Sequence, residues 1–146
     1  MFLGIDVGTT GIKALVVNGN GQVVDHYHRE LELSVPKPGW AEQDPEDWLK
    51  AVLDILKEVA KDYQIQSISF SGQMHSLVML DQDDQVLRKA ILWCDQRTTV
   101  QCKEATDKIG GEQVVIGLIA NPILEGFTLG KILWVKENEP EQFHRI

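Results

Sequence analysis

Apolar and polar positions alternate through the first third of the chain. Residues 2–7 and 12–17 are short apolar runs bounded by glycine, and both read as strands. Residues 8–11 between them read as a tight turn. Asn18-Gly19-Asn20-Gly21 follows the second run and signals a hairpin, because Asn and Gly tolerate positive φ. A third strand is predicted over 22–33. Val23, Tyr27, Leu31 and Leu33 share one face at period two, and His26, His28, Glu30 and Glu32 share the other. Asp25 and Arg29 are polar exceptions on the apolar face. After the loop Pro36-Lys37-Pro38-Gly39, Asp44 suits an N-cap, Pro45 the first helical position, and Glu46 and Asp47 the first turn. Trp48, Leu49, Val52, Leu53, Leu56, Val59 and Ala60 form the stripe of that helix. A strand over 65–70 comes next, then a short strand over 77–80 with its turn at 81–85, and a strand end over 90–93. A helix is predicted over 98–109. Thr128 is expected to cap another, with Leu129, Ile132 and Leu133 facing inward, and Glu139-Pro140-Glu141 starts one more.

Three hairpin-linked strands, a helix, a strand and mixed elements define an α/β fold with a mixed sheet. At 146 residues, one domain is expected. The net charge of −8 speaks against nucleic acid, whose phosphates call for clustered Lys and Arg. No apolar run approaches the roughly 18 residues of a membrane span. Met1-Phe2-Leu3-Gly4-Ile5-Asp6 lacks a basic leader segment, and Cys94 and Cys102 are the two thiols; both features lead us to expect reduced cysteines and a cytoplasmic protein. The stop at Phe143-His144-Arg145-Ile146, just past a helix start, leads us to expect a truncated chain.

The segment richest in chemistry is Asp6-Val7-Gly8-Thr9-Thr10-Gly11-Ile12-Lys13. A strand brings the Asp6 carboxylate to a sheet rim. Gly8 and Gly11 are expected to adopt φ values that side chains forbid. Backbone N–H groups of such a turn can converge on an anion, with Thr9 and Thr10 hydroxyls and the Lys13 ammonium in support. A bare carboxylate repels phosphate, so Asp6 is useful there with Mg²⁺ between, held through water. A plain hairpin with a surface aspartate accounts for this turn equally well. The turn precedes a strand, unlike the Walker A and dinucleotide loops, which precede helices.

Five collinear stretches narrow the choice. Ile5 to Lys13 resembles the first phosphate loop of the FGGY carbohydrate kinases. Gly39-Trp40-Ala41-Glu42-Gln43-Asp44-Pro45-Glu46-Asp47-Trp48 resembles the family's segment before its first helix. Gly72-Gln73-Met74-His75 resembles a sugar-contacting loop. Ile91-Leu92-Trp93-Cys94-Asp95-Gln96-Arg97 resembles its Trp-x-Asp-x-Arg strand end. Gly126-Phe127-Thr128 with Lys131-Ile132-Leu133-Trp134-Val135 completes the series.

The resemblance implies a ribonuclease-H-like, actin-like ATPase fold. Residues 1–146 would form the N-terminal part of the first domain, with the second domain outside the chain. It implies ATP and Mg²⁺ as cofactors, with Asp6 catalytic and organising the metal through water, and with Gly8, Thr9, Thr10 and Lys13 at the phosphates. Gln73, Met74, His75, Trp93, Asp95 and Arg97 would contact the sugar.

Among family members, those phosphorylating the 5-hydroxyl of D-xylulose are the nearest match. Gluconate-phosphorylating members are rivals, since they can share Met74-His75-Ser76. Cys94 departs from the usual Asn of the xylulose branch. The implied partners are a sugar and ATP, with no nucleic acid and no membrane, and with a homodimer left open.

Plainer readings stand beside these: core packing for Met74 and Trp93, a solvated histidine for His75, and a surface i, i+2 ion pair for Asp95 and Arg97. His26, His28 and His144 receive no role, and Trp40, Trp48 and Trp134 are read as structural. The family's catalytic base and adenine pocket match nothing here, so the chain alone is expected to be inactive. An actin- or Hsp70-like nucleotide module and a ribonuclease-H-like nuclease share the first loop's logic. The sugar loop and the acidic charge respectively disfavour them.

Overall fold

The structure is a computed structural model that describes residues 1–146. Its elements are β1 (Phe2–Val7), β2 (Gly11–Val17), β3 (Val23–Glu30), β4 (Glu42–Gln43), α1 (Pro45–Asp62) and β5 (Ser67–Gly72), then β6 (Ala90–Ile91), α2 (Thr99–Ile109), α3 (Glu112–Ile119), α4 (Thr128–Asn138) and α5 (Pro140–Phe143). The chain forms two compact units. Residues 1–33 and 44–73 make the first, and residues 34–43 and 74–146 the second.

The first unit is a four-stranded sheet in the order β3-β2-β1-β5, with α1 on one face. β1 pairs antiparallel with β2 and parallel with β5, so the sheet is mixed as expected. Leu3 and Ile5 of β1 and Ile12, Ala14 and Val16 of β2 point to α1. They bury against Ile55 and Val59. Each large apolar side chain so buried contributes about 1.5–3 kcal/mol relative to exposure.

The N-terminus of α1 forms as its sequence predicts. Asp44 accepts a hydrogen bond from the Glu46 N–H at 3.0 Å, Pro45 opens the helix, and Glu46 and Asp47 sit in the first turn. The stripe is rotated from the expected one. Trp48, Ala51, Val52, Ile55, Leu56 and Val59 face the sheet, whereas Leu49, Leu53 and Ala60 are exposed. The two polar exceptions on β3 are both satisfied. Asp25 accepts from the hydroxyls of Tyr27 and Tyr63, each at 3.1 Å, and Arg29 pairs with Glu58 at 2.7 Å.

The second unit holds a two-stranded β4–β6 ribbon and four helices. Residues 77–80 do not form the expected strand. They make only single bridges, Leu77 to Ile91 and Leu80 to Val86. Residues 81–85 turn as expected, with Asp81 Oδ1 accepting from the N–H groups of Asp83 and Gln85.

One core cluster joins Leu77, Met79, Ile91 and Val135, and another joins Cys102, Val115 and Ile123. In α4 the buried positions are Gly130, Lys131 and Val135, while Leu129 and Ile132 are exposed. Phe127, not Thr128, occupies the cap position of α4. No helix is long and apolar enough to cross a membrane.

Candidate functional site

In the first unit, alternation along β1 sends Leu3 and Ile5 inward and leaves Asp6 on the exposed face near the strand's C-terminal end. Register then decides its neighbours. Lys13 lies opposite Asp6 on β2, and Ser71 lies opposite it on β5. The Ser71 hydroxyl donates to Asp6 Oδ1 at 2.8 Å. The other oxygen, Oδ2, lies toward the turn, 3.6 Å from where a Cβ on Gly8 would stand.

The two glycines of the turn are needed for a different reason than expected. Neither has a positive φ. A Cβ on Gly11 would sit 2.6 Å from both the Arg29 carbonyl and His28 Nε2, and one on Gly8 would sit 3.0 Å from the Gly11 carbonyl. Close approach, not left-handed backbone, excludes side chains here. The Thr9 hydroxyl donates to Gln73 Oε1 at 3.2 Å, and the Gln73 N–H donates to the Val7 carbonyl at 2.9 Å. The turn of residues 8–11 and Gln73 are thus tied together by hydrogen bonds within one unit. Thr10 is exposed and its carbonyl accepts from the Leu31 N–H at 3.1 Å.

The chain has no group of three or more His, Cys, Asp or Glu side chains able to hold a metal. A magnesium ion beside Asp6 would have that one carboxylate and would fill its remaining positions with water and phosphate oxygen.

In the second unit, Met74 is 70 % exposed, which removes the core reading of that side chain. His75 adopts φ +67°, a left-handed conformation uncommon for a non-glycine residue. Its ring meets the Phe127 ring edge-on at 4.8 Å between centroids, and its carbonyl accepts from the Thr128 hydroxyl at 3.1 Å. Ser76 Oγ accepts from the Trp93 N–H at 3.2 Å. The Trp93 side chain is half exposed, so it too is not a core residue.

Asp95 and Arg97 correct the expectation. Neither lies at an open face, and their pair is not on the surface. Asp95 is fully buried; its carboxylate accepts from the Ala41 N–H at 2.6 Å and from Arg97 Nε and Nη2 at 2.9 and 2.7 Å. Arg97 also pairs with Glu42 at 2.8 Å, and its guanidinium stacks over Trp40 at 3.7 Å and Trp134 at 4.9 Å. Glu42 further holds Arg88 at 2.5 Å. The two residues therefore scaffold the strand end that carries Trp93. Burial by two tryptophans is a tertiary fact that an i, i+2 spacing does not disclose.

Three contributors escaped the sequence reading as site residues. Ser71 was hidden because only register places it beside Asp6. Phe127 and Thr128 were hidden because their role is a contact with a distant loop. A Thr-Leu-Gly-Lys run opening a helix gives no local sign of either.

The mixed sheet is that of the actin-like ATPase fold, and comparisons with known proteins give the family. The family model for the FGGY family of carbohydrate kinases, N-terminal domain, matches residues 1–146. The xylulose kinase of Bacillus subtilis (strain 168) is 47 % identical over 148 residues, covering 98 % of this chain and 29 % of the relative. A ligand-bound xylulose kinase structure from Lactobacillus acidophilus is 32 % identical with a TM-score of 0.90, covering 99 % of this chain and 30 % of that one. A gluconate kinase structure from the same organism is 33 % identical with a TM-score of 0.89, again covering 99 % and 30 %. The chain belongs to the FGGY family of carbohydrate kinases, and its fold is theirs. It spans about three-tenths of the length of these relatives.

Proposed function

We propose that this chain is the N-terminal part of a kinase that transfers the γ-phosphoryl group of MgATP to the 5-hydroxyl of D-xylulose, giving D-xylulose 5-phosphate. The observation that carries this reading is Asp6, exposed at the end of β1 with one oxygen oriented by Ser71 and Lys13 across the strand pair. Phosphoryl transfer asks a protein mainly to position groups and to offset developing charge. Asp6 would hold magnesium through water. The metal supplies charge neutralisation on the phosphates when it is bound. Lys13 and the turn of Gly8, Thr9 and Thr10 border the transferred group. The Thr9–Gln73 hydrogen bond keeps that turn in one geometry.

On the sugar side, Gln73, Met74 and His75 offer hydrogen bonds and a thioether, and Trp93 offers a flat face to sugar C–H groups. Asp95 and Arg97 act on the sugar only by holding the Trp93 strand end. The names of the relatives support D-xylulose. The gluconate kinase likeness, together with Met74-His75-Ser76, supports gluconate as the second reading.

The test uses the full-length kinase. Asp6→Ala is expected to lower kcat by about 10²–10³-fold or more, the loss that follows removal of one group stabilising transition-state charge. A coupled ADP-release assay with D-xylulose and with gluconate measures it. Undiminished turnover in Asp6→Ala would refute the role of the turn, and a higher kcat/KM for gluconate would replace the substrate.

A further inference from the structure

Lys131 lies on α4 and is fully buried, an uncommon place for an ammonium group. Its side chain runs back toward the helix N-terminus, the direction in which helical side chains lean. There Nζ donates to three consecutive carbonyls, of Glu125 at 2.7 Å, Gly126 at 2.9 Å and Phe127 at 3.0 Å. An ammonium has three N–H donors, and all three are used. Three carbonyls converging on one point repel each other unless a cation sits between them. Burial pulls the Lys131 ammonium toward its neutral form, and the Asp95 carboxylate opposes that pull.

The loop so held reaches two of the residues read as sugar contacts in this unit, His75 and Trp93. Phe127 meets the His75 ring, Thr128 donates to the His75 carbonyl, and Gly126 lies beside the Trp93 carbonyl, which an added Cβ would meet in ordinary contact at 3.5 Å. His75 itself stands in a left-handed conformation, which persists only when its surroundings fix it.

We infer that Lys131 is a positioning residue for the sugar: by gathering the carbonyls of residues 125–127 it fixes Phe127 and Thr128, and through them the His75 imidazole. This rests on the reading of His75 as a sugar contact. The expected signature is selective. Disturbing the clamp moves His75 and weakens sugar binding, while ATP is untouched.

Three variants test it, Lys131→Met, Lys131→Arg and Thr128→Val. The 146-residue chain has four histidines, so the ¹³C–¹H correlation of the His75 ring is assignable. Lys131→Met is expected to shift that resonance. In the full-length kinase it is expected to raise the sugar KM about tenfold, equal to about 1.4 kcal/mol, with the ATP KM unchanged. Lys131→Arg keeps the charge and is expected to restore most of both. Thr128→Val removes only the bond to His75, so it reports even if Lys131→Met fails to fold. It is expected to move the resonance and the sugar KM the same way.

An unmoved His75 resonance with an unchanged sugar KM overturns the inference. So does a rise of both KM values together in Thr128→Val. If the wild type phosphorylates no sugar, the substrate reading falls, and the resonance still decides whether Lys131 positions His75.

Discussion

Asp25 stands where the alternation of β3 calls for an apolar side chain, and two tyrosines explain why it is tolerated. The His26 N–H and, after it, both tyrosine hydroxyls donate to the carboxylate and hold it below its ordinary range. In return, burial and the neighbouring Asp25 push the Tyr27 hydroxyl up to about 12 from its ordinary 10.0. A group whose folded pKa is raised stabilises the fold below its unfolded value and loses that contribution as pH climbs through the folded one. The thermal midpoint is therefore expected to fall between about pH 10 and 12, and Tyr27→Phe to flatten that fall; a pH series of melts by circular dichroism checks it.

At this scale the sequence disclosed Asp6 and the glycine turn, because strand parity and glycine spacing are local. It did not disclose Lys131 or the burial of Asp95. A lysine on a helix ordinarily reads as solvated, and whether a charge is covered depends on residues far along the chain.

Helix α1 began where local chemistry dictated and faced where packing dictated. Asp44, Pro45, Glu46 and Asp47 specify the start of α1 among themselves, so that boundary was legible. Leu49 and Leu53 are as apolar as Val52 and Ile55, so the side turned to the sheet was not. Likewise Gly8 and Gly11 were recognised as necessary, but the reason lies in the Gly11 carbonyl for Gly8 and in the approach of β3 for Gly11, not in φ.

Gly130 repeats that lesson in the second unit. A Cβ there would stand 2.6 Å from Cys102 Sγ and 2.9 Å from Thr98 Oγ1, both buried on or beside α2. Alanine favours a helix by about 1 kcal/mol over glycine, yet overpacking a tight contact costs about 1–3 kcal/mol. Gly130→Ala is expected to be net destabilising, read as a lower urea midpoint with an unchanged m-value.

Over the whole molecule, the chain divides into two compact units, each with its own apolar clusters, within the one N-terminal domain that the family model matches over residues 1–146. Chain order alone did not reveal this, because residues 34–43 leave the first unit and join the second before α1 returns. The mixed sheet and the family were legible, since hairpin signals and collinear motifs survive without knowledge of packing. The relatives are more than three times as long as this chain. The 146-residue chain alone is accordingly expected to release no ADP above background with D-xylulose and MgATP. Sustained turnover in the coupled assay would show that the chemistry needs no more than these residues.

β1 carries one last consequence. A single odd–even count sends Leu3 and Ile5 beneath α1 and Asp6 to the open side. Insertion or loss of one residue ahead of Asp6 would swap the two sets, burying an acid and exposing the packing side chains. The strand therefore behaves like a reading frame: its length can drift in pairs, but never by one, without erasing both the fold's interior and its acidic rim.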